Sequence, residues 1–170
     1  MSERSPAPGG LALIESLVNT LDIESGADAL DTADGRARFA IGAEELPAAR
    51  ELRESLRATL LAHAGHPPHR EVTPLGRLLA HAPLYLSVDD REGTAALAPA
   101  ADGSPLLSRV AAAVAEALVA GTWLRLKACE AVTCHWAYYD RSPAGRGRWC
   151  SMQVCGARAK MRRYRAKETG

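Results

Sequence analysis

CEAVTCHWAYYDRSPAGRGRWCSMQVC, residues 129–155, contains all four cysteines of this 170-residue chain. The cysteines form two C-x4-C pairs, and fifteen residues separate one pair from the other. Paired cysteines let a short chain wrap a tetrahedral ion, because each pair supplies two thiolates from one turn. The spacing therefore predicts a Zn²⁺ site. Its four ligands are Cys129, Cys134, Cys150 and Cys155.

Four thiolates leave no coordination position for water or substrate, so the predicted site is structural and not catalytic. The metal would also stabilise a segment of about 45 residues that is too poor in large apolar side chains to build its own core. Two disulfides, simply buried cysteines and an iron–sulfur cluster are the alternatives, and the matched spacing within one segment favours zinc. His135 beside Cys134 is a weaker alternative ligand.

Aromatic side chains lie next to the inner cysteines of the two pairs. We expect Trp136 and Trp149 to pack over the metal-bound sulfurs, where they would restrict solvent, and not to stack on bases. Tyr138, Tyr139 and Met152 are expected to join the same small core.

The formal net charge of +1 conceals an uneven distribution of charge. Residues 123–170 hold 11 Lys and Arg against three Asp and Glu, a net charge of +8. Residues 1–122 hold 10 Lys and Arg against 17 Asp and Glu, a net charge of −7. A basic segment of this density is typical of proteins that bind nucleic acids or other polyanions. No stretch is suited to a membrane span or signal peptide, so we expect a cytoplasmic protein without a membrane partner.

The basic residues continue past the last cysteine into a predicted helix over residues 156–167. We expect its narrow apolar side, formed by Ala157, Met161 and Tyr164, to dock on the zinc loop. The remaining surface is cationic, and arginine suits both phosphates and guanine edges in a DNA groove. The predicted nucleic-acid contacts are Arg146, Arg148, Arg158, Lys160, Arg162, Arg163, Arg165 and Lys167. A few cations would suffice to stabilise a zinc tetrathiolate, so eleven favour a polyanionic partner.

The first 80 residues show helical periodicity. Apolar spacing predicts a helix over residues 10–21, and residues 22–38 are predicted to be a loop or a short, weak helix. A clearer helix is expected to begin at Pro47 and end before Gly65, and a short one to cover residues 75–80. The apolar face of the helix that begins at Pro47 consists of Leu52, Leu56 and Leu60.

Alternating residues 84–88, a turn-like cluster and residues 94–97 predict a β-hairpin. Ser104-Pro105 is expected to cap the next helix, which ends at Gly121. The predicted apolar face of that helix consists of Leu107, Val110, Val114 and Leu118.

No nucleophile with a plausible base and no Gly-rich phosphate loop is visible, so we expect no enzymatic activity. His63, His66 and His69 have a spacing that could bind a metal, but a proline-interrupted loop makes this a minor alternative.

Two motifs resemble the CGNR zinc-finger family of bacterial proteins: Cys129-x4-Cys134-x-Trp136-Ala137-Tyr138-Tyr139-Asp140-x-Ser142 and Trp149-Cys150-Ser151-Met152-x-x-Cys155-Gly156-x-Arg158-x-Lys160. The preceding residues are similar to the ABATE domain that occurs with this finger, at Val18-Asn19-Thr20 and at His81-Ala82-Pro83. The family's naming motif contains Asn where this chain has Ala157. The resemblance implies a stress-responsive transcription regulator whose four ligand cysteines are those named above and whose finger binds DNA.

We therefore expect a mainly α (α+β) chain of two domains: a helical domain with one small β-hairpin over residues 1–122, called the body, and a small zinc-stabilised, treble-clef-like finger ending in a basic helix over residues 123–170, called the finger. The predicted function is a DNA-binding regulator, with duplex DNA as partner. The body would bind a small-molecule or protein effector or form a homo-oligomer. The alternatives are RNA binding and a protein-interaction module that docks the basic finger on an acidic surface such as another body.

Overall fold

The computed structural model describes residues 5–99 and 106–168, which contain six α-helices and two antiparallel β-hairpins. The helices are α1 (Leu11–Val18), α2 (Ala33–Ala37), α3 (Leu46–His63), α4 (Leu75–Leu79), α5 (Leu106–Val119) and α6 (Ala157–Glu168). The strands are β1 (Leu84–Asp89), β2 (Thr94–Pro99), β3 (Leu126–Ala128) and β4 (Ala137–Tyr139). This confirms the predicted mainly helical fold. The cap predicted at Ser104-Pro105 lies outside the described residues.

Helix α3 is the central element of the core. Pro47 occupies its first turn, where the absent N–H costs no hydrogen bond, and Leu52, Leu56 and Leu60 are buried as predicted. The opposite side of α3 is buried too, although the sequence there is polar, because loops of the body and the finger both cover it. Within the described residues, none of the helices is both long and apolar enough to cross a membrane.

Helix α5 packs by its alanines more than by its large residues. Val110 is buried as predicted, but Leu118 is 59% exposed, which corrects the predicted apolar face. Ala113 and Ala117 are buried in its place. A side chain at Gly10 would lie 2.7 Å from Ala113 Cβ, so the start of α1 and the middle of α5 approach each other too closely for larger residues.

The β1–β2 hairpin forms where the alternating sequence predicts it, with Leu86 opposite Leu97. Its turn is closed by Asp89, whose Oδ1 accepts hydrogen bonds from the backbone N–H groups of Arg91 (2.8 Å) and Glu92 (3.1 Å). Tyr85, Leu86 and the rest of β1 are mostly exposed. The hairpin therefore lies at the periphery of the fold, beside α5.

One hydrophobic core extends across residue 122. Trp123, Leu126, Ala128 and Ala137 belong to the same buried cluster as α1, α3 and α5. Strands β3 and β4 are short, and Leu126 pairs with Tyr139 at their outer end. The division of the chain into two domains at residue 122 stays a prediction, but the first hairpin of the finger is built on the body.

Candidate metal centre and nucleic-acid interface

The fold brings the four cysteines together, and their sulfurs all lie within 4.8 Å of one another. Cys129 directly follows β3 and Cys134 ends the turn that leads to β4. Cys150 ends the long loop after β4, and Cys155 lies in a π-type turn, Met152–Gly156, which runs into α6. In the described part of the chain, this is the one group of metal-binding residue types gathered closely enough to hold an ion.

The distances between sulfurs fit a zinc tetrahedron. Cys134 Sγ lies 3.6 Å from Cys150 Sγ, and Cys150 Sγ lies 3.7 Å from Cys155 Sγ. A tetrahedral ion with Zn–S bonds of about 2.3 Å requires an S–S separation of about 3.8 Å. The donor set and its spacing therefore match a closed, four-coordinate site.

The electrostatics of the cluster also call for a cation. Hydrogen bonds from the thiols of Cys134 and Cys150 lower the pKa of Cys129 to about 2. The hydrogen bond to that thiolate raises the pKa of Cys134 to about 12, and the pKa of Cys150 is raised for the same reason. One thiolate thus suppresses ionisation of its neighbours, and a divalent cation among them would stabilise all four as thiolates.

Backbone hydrogen bonds shape the turn that carries the first pair. The N–H of Cys129 donates to Trp136 O at 2.9 Å, and the N–H of Cys134 donates to Ala131 O at 2.8 Å. His135 adopts a left-handed φ of 47°, which reverses the chain into β4. Its Nδ1 donates to Cys129 O at 2.9 Å, so His135 supports the turn, and the cysteine cluster does not include it.

The second pair is tied to the first by Glu130 and Arg148. The N–H of Glu130 donates to Arg148 O at 3.0 Å, and the Arg148 guanidinium donates to both carboxylate oxygens of Glu130. Ser151 Oγ accepts from the N–H of Val154 at 3.3 Å and so caps the π-type turn. Ala157, where the family motif has Asn, is exposed at the start of α6.

Only part of the predicted aromatic cover is present in the described residues. Trp149 packs against the cysteine cluster as expected. Trp136 is 36% exposed and Met152 is 68% exposed, and neither belongs to that cluster. Tyr139 packs instead against the main core, because β4 pairs with β3 beside α1.

Helix α6 is exposed almost throughout, and Ala159 is its one buried residue in the described chain. Met161 and Tyr164 are 51% and 60% exposed, so the predicted docking of the apolar side is wrong. At 100° per residue, Ala159 lies on the other side of the helix, and its small side chain permits the close contact. The stripe of Ala157, Met161 and Tyr164 faces outward between two cationic stripes. These are Arg158, Arg162 and Arg165 on one flank and Lys160, Arg163 and Lys167 on the other.

Two of the predicted nucleic-acid contacts form ion pairs with acidic side chains of this chain, and the others lie at exposed positions of a loop or of α6. Arg148 is paired with Glu130, and Arg158 donates to the carboxylate of Glu24 at 3.0 and 3.1 Å. Arg146 lies in the exposed loop before Cys150. The others project from exposed positions of α6: Lys160, Arg162, Arg163, Arg165 and Lys167.

A buried polar group that no sequence pattern predicts holds the finger on the body. Arg57 is fully buried, and its Nε donates to Glu54 at 3.2 Å. Its other nitrogens donate to Val18 O at 2.8 Å and to His135 O at 2.9 Å. Burial would raise the pKa of Glu54, but the charge of Arg57 and the hydrogen bond from Arg53 hold it below its usual value. The i, i+3 spacing of Glu54 and Arg57 is typical of an exposed helix face, so the pattern did not reveal its burial.

The motif Val18-Asn19-Thr20, which resembles part of the ABATE domain, lies where the finger meets the body. The Asn19 side chain donates to Ala137 O at 3.0 Å and accepts from the N–H of Ala137 at 2.7 Å. Thr20 Oγ1 accepts from Arg53 at 3.1 Å. The Asn19 side chain therefore makes the same two hydrogen bonds to Ala137 that a residue of a neighbouring strand would make. An asparagine can do this because its amide both donates and accepts.

Asp140 organises the loop between the two cysteine pairs. It accepts from Lys127 Nζ at 3.0 Å, the N–H of Ser142 at 3.0 Å and the N–H of Gly147 at 2.7 Å. Any side chain at Gly147 would lie 2.9 Å from the carboxylate. Burial alone would raise the pKa of Asp140, but hydrogen bonds from Ser142 and Lys127 hold it well below its usual range.

Asp140→Asn is expected to lower the free energy of unfolding by about 2–3 kcal/mol at pH 7, because Lys127 stays buried without its counter-ion. Since the folded pKa is depressed, the carboxylate stabilises the protein above the unfolded pKa of about 3.9 and this contribution is lost as the pH falls below it. Urea unfolding at pH 7 and pH 3 measures the difference. Asp90→Asn, in the exposed β1–β2 turn, is the control, and an equal effect in both variants would contradict the assigned role.

The histidines proposed as a minor metal site do not converge. His63 Nδ1 donates to Leu126 O at 2.8 Å, and its ring meets Trp123 edge to face. His69 Nε2 donates to Glu54 Oε2 at 2.9 Å. His66 Nε2 lies 3.7 Å from Glu130 Oε2. The three histidines are therefore not gathered around one point as metal ligands would be, although His66 and His69 border the same cavity.

Family models match the chain in two adjoining regions. Residues 11–121 match the ABATE model, described as "Putative stress-induced transcription regulator", and residues 125–168 match the CGNR zinc finger. The matches follow in the order that the sequence predicts. Neither is an enzyme family. A comparison with curated proteins finds no match.

Proposed function

The chain belongs to the ABATE family, and from this premise we propose that it is a cytoplasmic, DNA-binding transcription regulator whose finger binds Zn²⁺ and presents α6 to duplex DNA. Cys129, Cys134, Cys150 and Cys155 would hold the ion, which supplies a rigid crosslink and no catalytic position. The observation that carries the proposal is the exposure of α6. The helix follows Cys155 without a break and carries six Lys and Arg against one Glu.

The arrangement of side chains on α6 suits a groove. Its two cationic stripes are separated by Met161 and Tyr164, which are exposed on the side opposite the buried Ala159. The stripes would contact the phosphates on both sides, which supplies affinity without sequence preference. Met161 and Tyr164 would then face the base edges, where apolar atoms contact the thymine methyl group.

The ion pairs of Arg148 and Arg158 support a second role for these two residues. Both side chains reach acidic partners within the chain, Glu130 and Glu24, and both pairs lie within or beside the metal centre. Arg158 would orient the finger on the body, Arg148 would hold the two cysteine pairs together, and DNA phosphates would compete for both side chains. The strongest contributions to DNA affinity are therefore expected from α6 beyond Arg158.

The salt dependence of binding tests this proposal. With about four phosphate contacts, the logarithm of the binding constant for duplex DNA should fall against the logarithm of salt concentration with a slope of about −4. Lys160→Gln/Arg162→Gln/Lys167→Gln should reduce the slope by about 2–3 and weaken binding at low salt by at least about tenfold. Fluorescence anisotropy with a labelled duplex measures both quantities.

Arg38→Gln/Arg77→Gln/Arg91→Gln is the matched control, because it removes the same charge from exposed positions of the body. This control should bind like the unmodified chain. A flat salt response, or equal losses in both triple variants, would contradict the role of α6. Preference for an RNA duplex of the same sequence in direct competition would favour RNA as the partner.

A further inference from the structure

A cavity of about 460 Å³ lies between the body and the turn of the first cysteine pair. The end of α3 and the loop after it supply Leu61, Pro67 and Pro68, and the finger supplies Val132. The volume lies within the range of small-molecule sites, about 300–1,000 Å³. These apolar side chains form walls that could cover a flat ring.

Two buried histidine nitrogens at this cavity have no hydrogen-bond partner among the described residues. They are His66 Nε2 and His69 Nδ1. Glu130 Oε2 lies 3.7 Å from the first, which exceeds hydrogen-bond length. Buried polar groups are almost always paired in folded proteins, so two unpaired atoms at one cavity indicate a molecule that binds there.

The hydrogen bonds of the histidines define what this molecule must bring. His69 Nε2 lies 2.9 Å from Glu54 Oε2, and a carboxylate only accepts, so Nε2 carries the proton. Burial lowers the pKa of His69, which keeps its ring neutral and leaves Nδ1 as an acceptor. Together with the Glu130 carboxylate, the cavity offers acceptors and requires donors.

We propose that this cavity is an effector site for a small planar nitrogen compound that donates hydrogen bonds, such as an aryl amidine or an amino-substituted heterocycle. Its N–H groups would pair with His69 Nδ1 and with the Glu130 carboxylate beside His66, and its ring would lie against the proline and valine walls. A cationic ligand would compete with Arg148 for the Glu130 carboxylate and free this arginine for a phosphate. This last step rests on the proposed DNA-binding function and predicts that the ligand raises DNA affinity.

Benzamidine and benzoate form a matched pair of probes, because they share shape but donate and accept hydrogen bonds respectively. Titration of the zinc-loaded full chain by calorimetry and two-dimensional NMR should give saturable benzamidine binding with Kd of about 1 mM, as expected for nine heavy atoms. Benzoate should bind at least tenfold more weakly. Equal or tighter benzoate binding, or no saturable benzamidine binding, would overturn the assignment.

His66→Leu should weaken benzamidine binding at least tenfold. His81→Leu, an exposed histidine in the turn after α4, should not. Melting curves confirm that both variants fold, and equal affinity in the two would overturn the location of the site. Binding is measured without DNA, so loss of the DNA-binding proposal would leave this result intact. In a chain that does bind DNA, an affinity unchanged by saturating benzamidine would overturn the regulatory step.

Discussion

Cys150→Ser is expected to abolish zinc binding and to reduce DNA affinity at least about 100-fold. Cys150 Sγ lies within 3.7 Å of the sulfurs of both Cys134 and Cys155. Structural zinc sites contribute on the order of 10 kcal/mol to the folding of small fingers. Without the ion, nothing else of comparable strength holds the π-type turn and α6, since Ala159 is the one buried residue of that helix in the described chain.

The loss of folded structure in Cys150→Ser should be confined to the second half of the finger. Leu126 and Ala137 belong to the main core, so β3 and β4 should remain folded with the body. Hydrogen exchange should show lost protection over residues 150–168 and retained protection in α3. Metal analysis measures the zinc content, and Val154→Ala, between the ligands of the second pair, is the control that should retain zinc. A Cys150→Ser protein that keeps its zinc and its DNA affinity would refute the site.

Arg57→Met is expected to lower the free energy of unfolding by about 3–5 kcal/mol. The change leaves the Glu54 carboxylate buried with one fewer cation and removes the donors to Val18 O and His135 O. Arg57→Lys should recover little, because a single ammonium cannot reach three acceptors as the guanidinium does. Urea unfolding followed by circular dichroism measures the loss.

Arg50→Met on the same helix is the matched control for Arg57. Its partners are Asp28 and Asp31, and its side chain is 40% exposed, so the expected loss is at most about 1 kcal/mol. Arg57→Met should also speed hydrogen exchange over residues 129–136, because His135 O loses its donor. Similar stability of the two variants would show that Arg57 does not link the finger to the body.

Local patterns in the sequence predict much of this protein. Each of these patterns depends on residues close together in the sequence. The cysteine spacing predicts the cysteine cluster, the leucines predict α3 and the alternation predicts β1, and the structure contains all three. The leucine pattern fails for Leu118, because the alanines of α5 permit closer packing against α1 than a leucine would. The basic residues after Cys155 predict a helix, but not which side of it contacts the finger.

Sequence alone determined the set of four clustered cysteines, the helical body and the separation of acidic from basic residues, because these depend on residue type and short spacing. Tertiary structure decided the rest, because the contacts join distant residues. Arg57 and His135 are 78 residues apart, and Asn19 and Ala137 are 118 apart. Such contacts bury a polar face of α3, turn Met161 and Tyr164 outward and enclose a cavity beside the first cysteine pair. Their geometry follows from the shared core that holds the finger against the body.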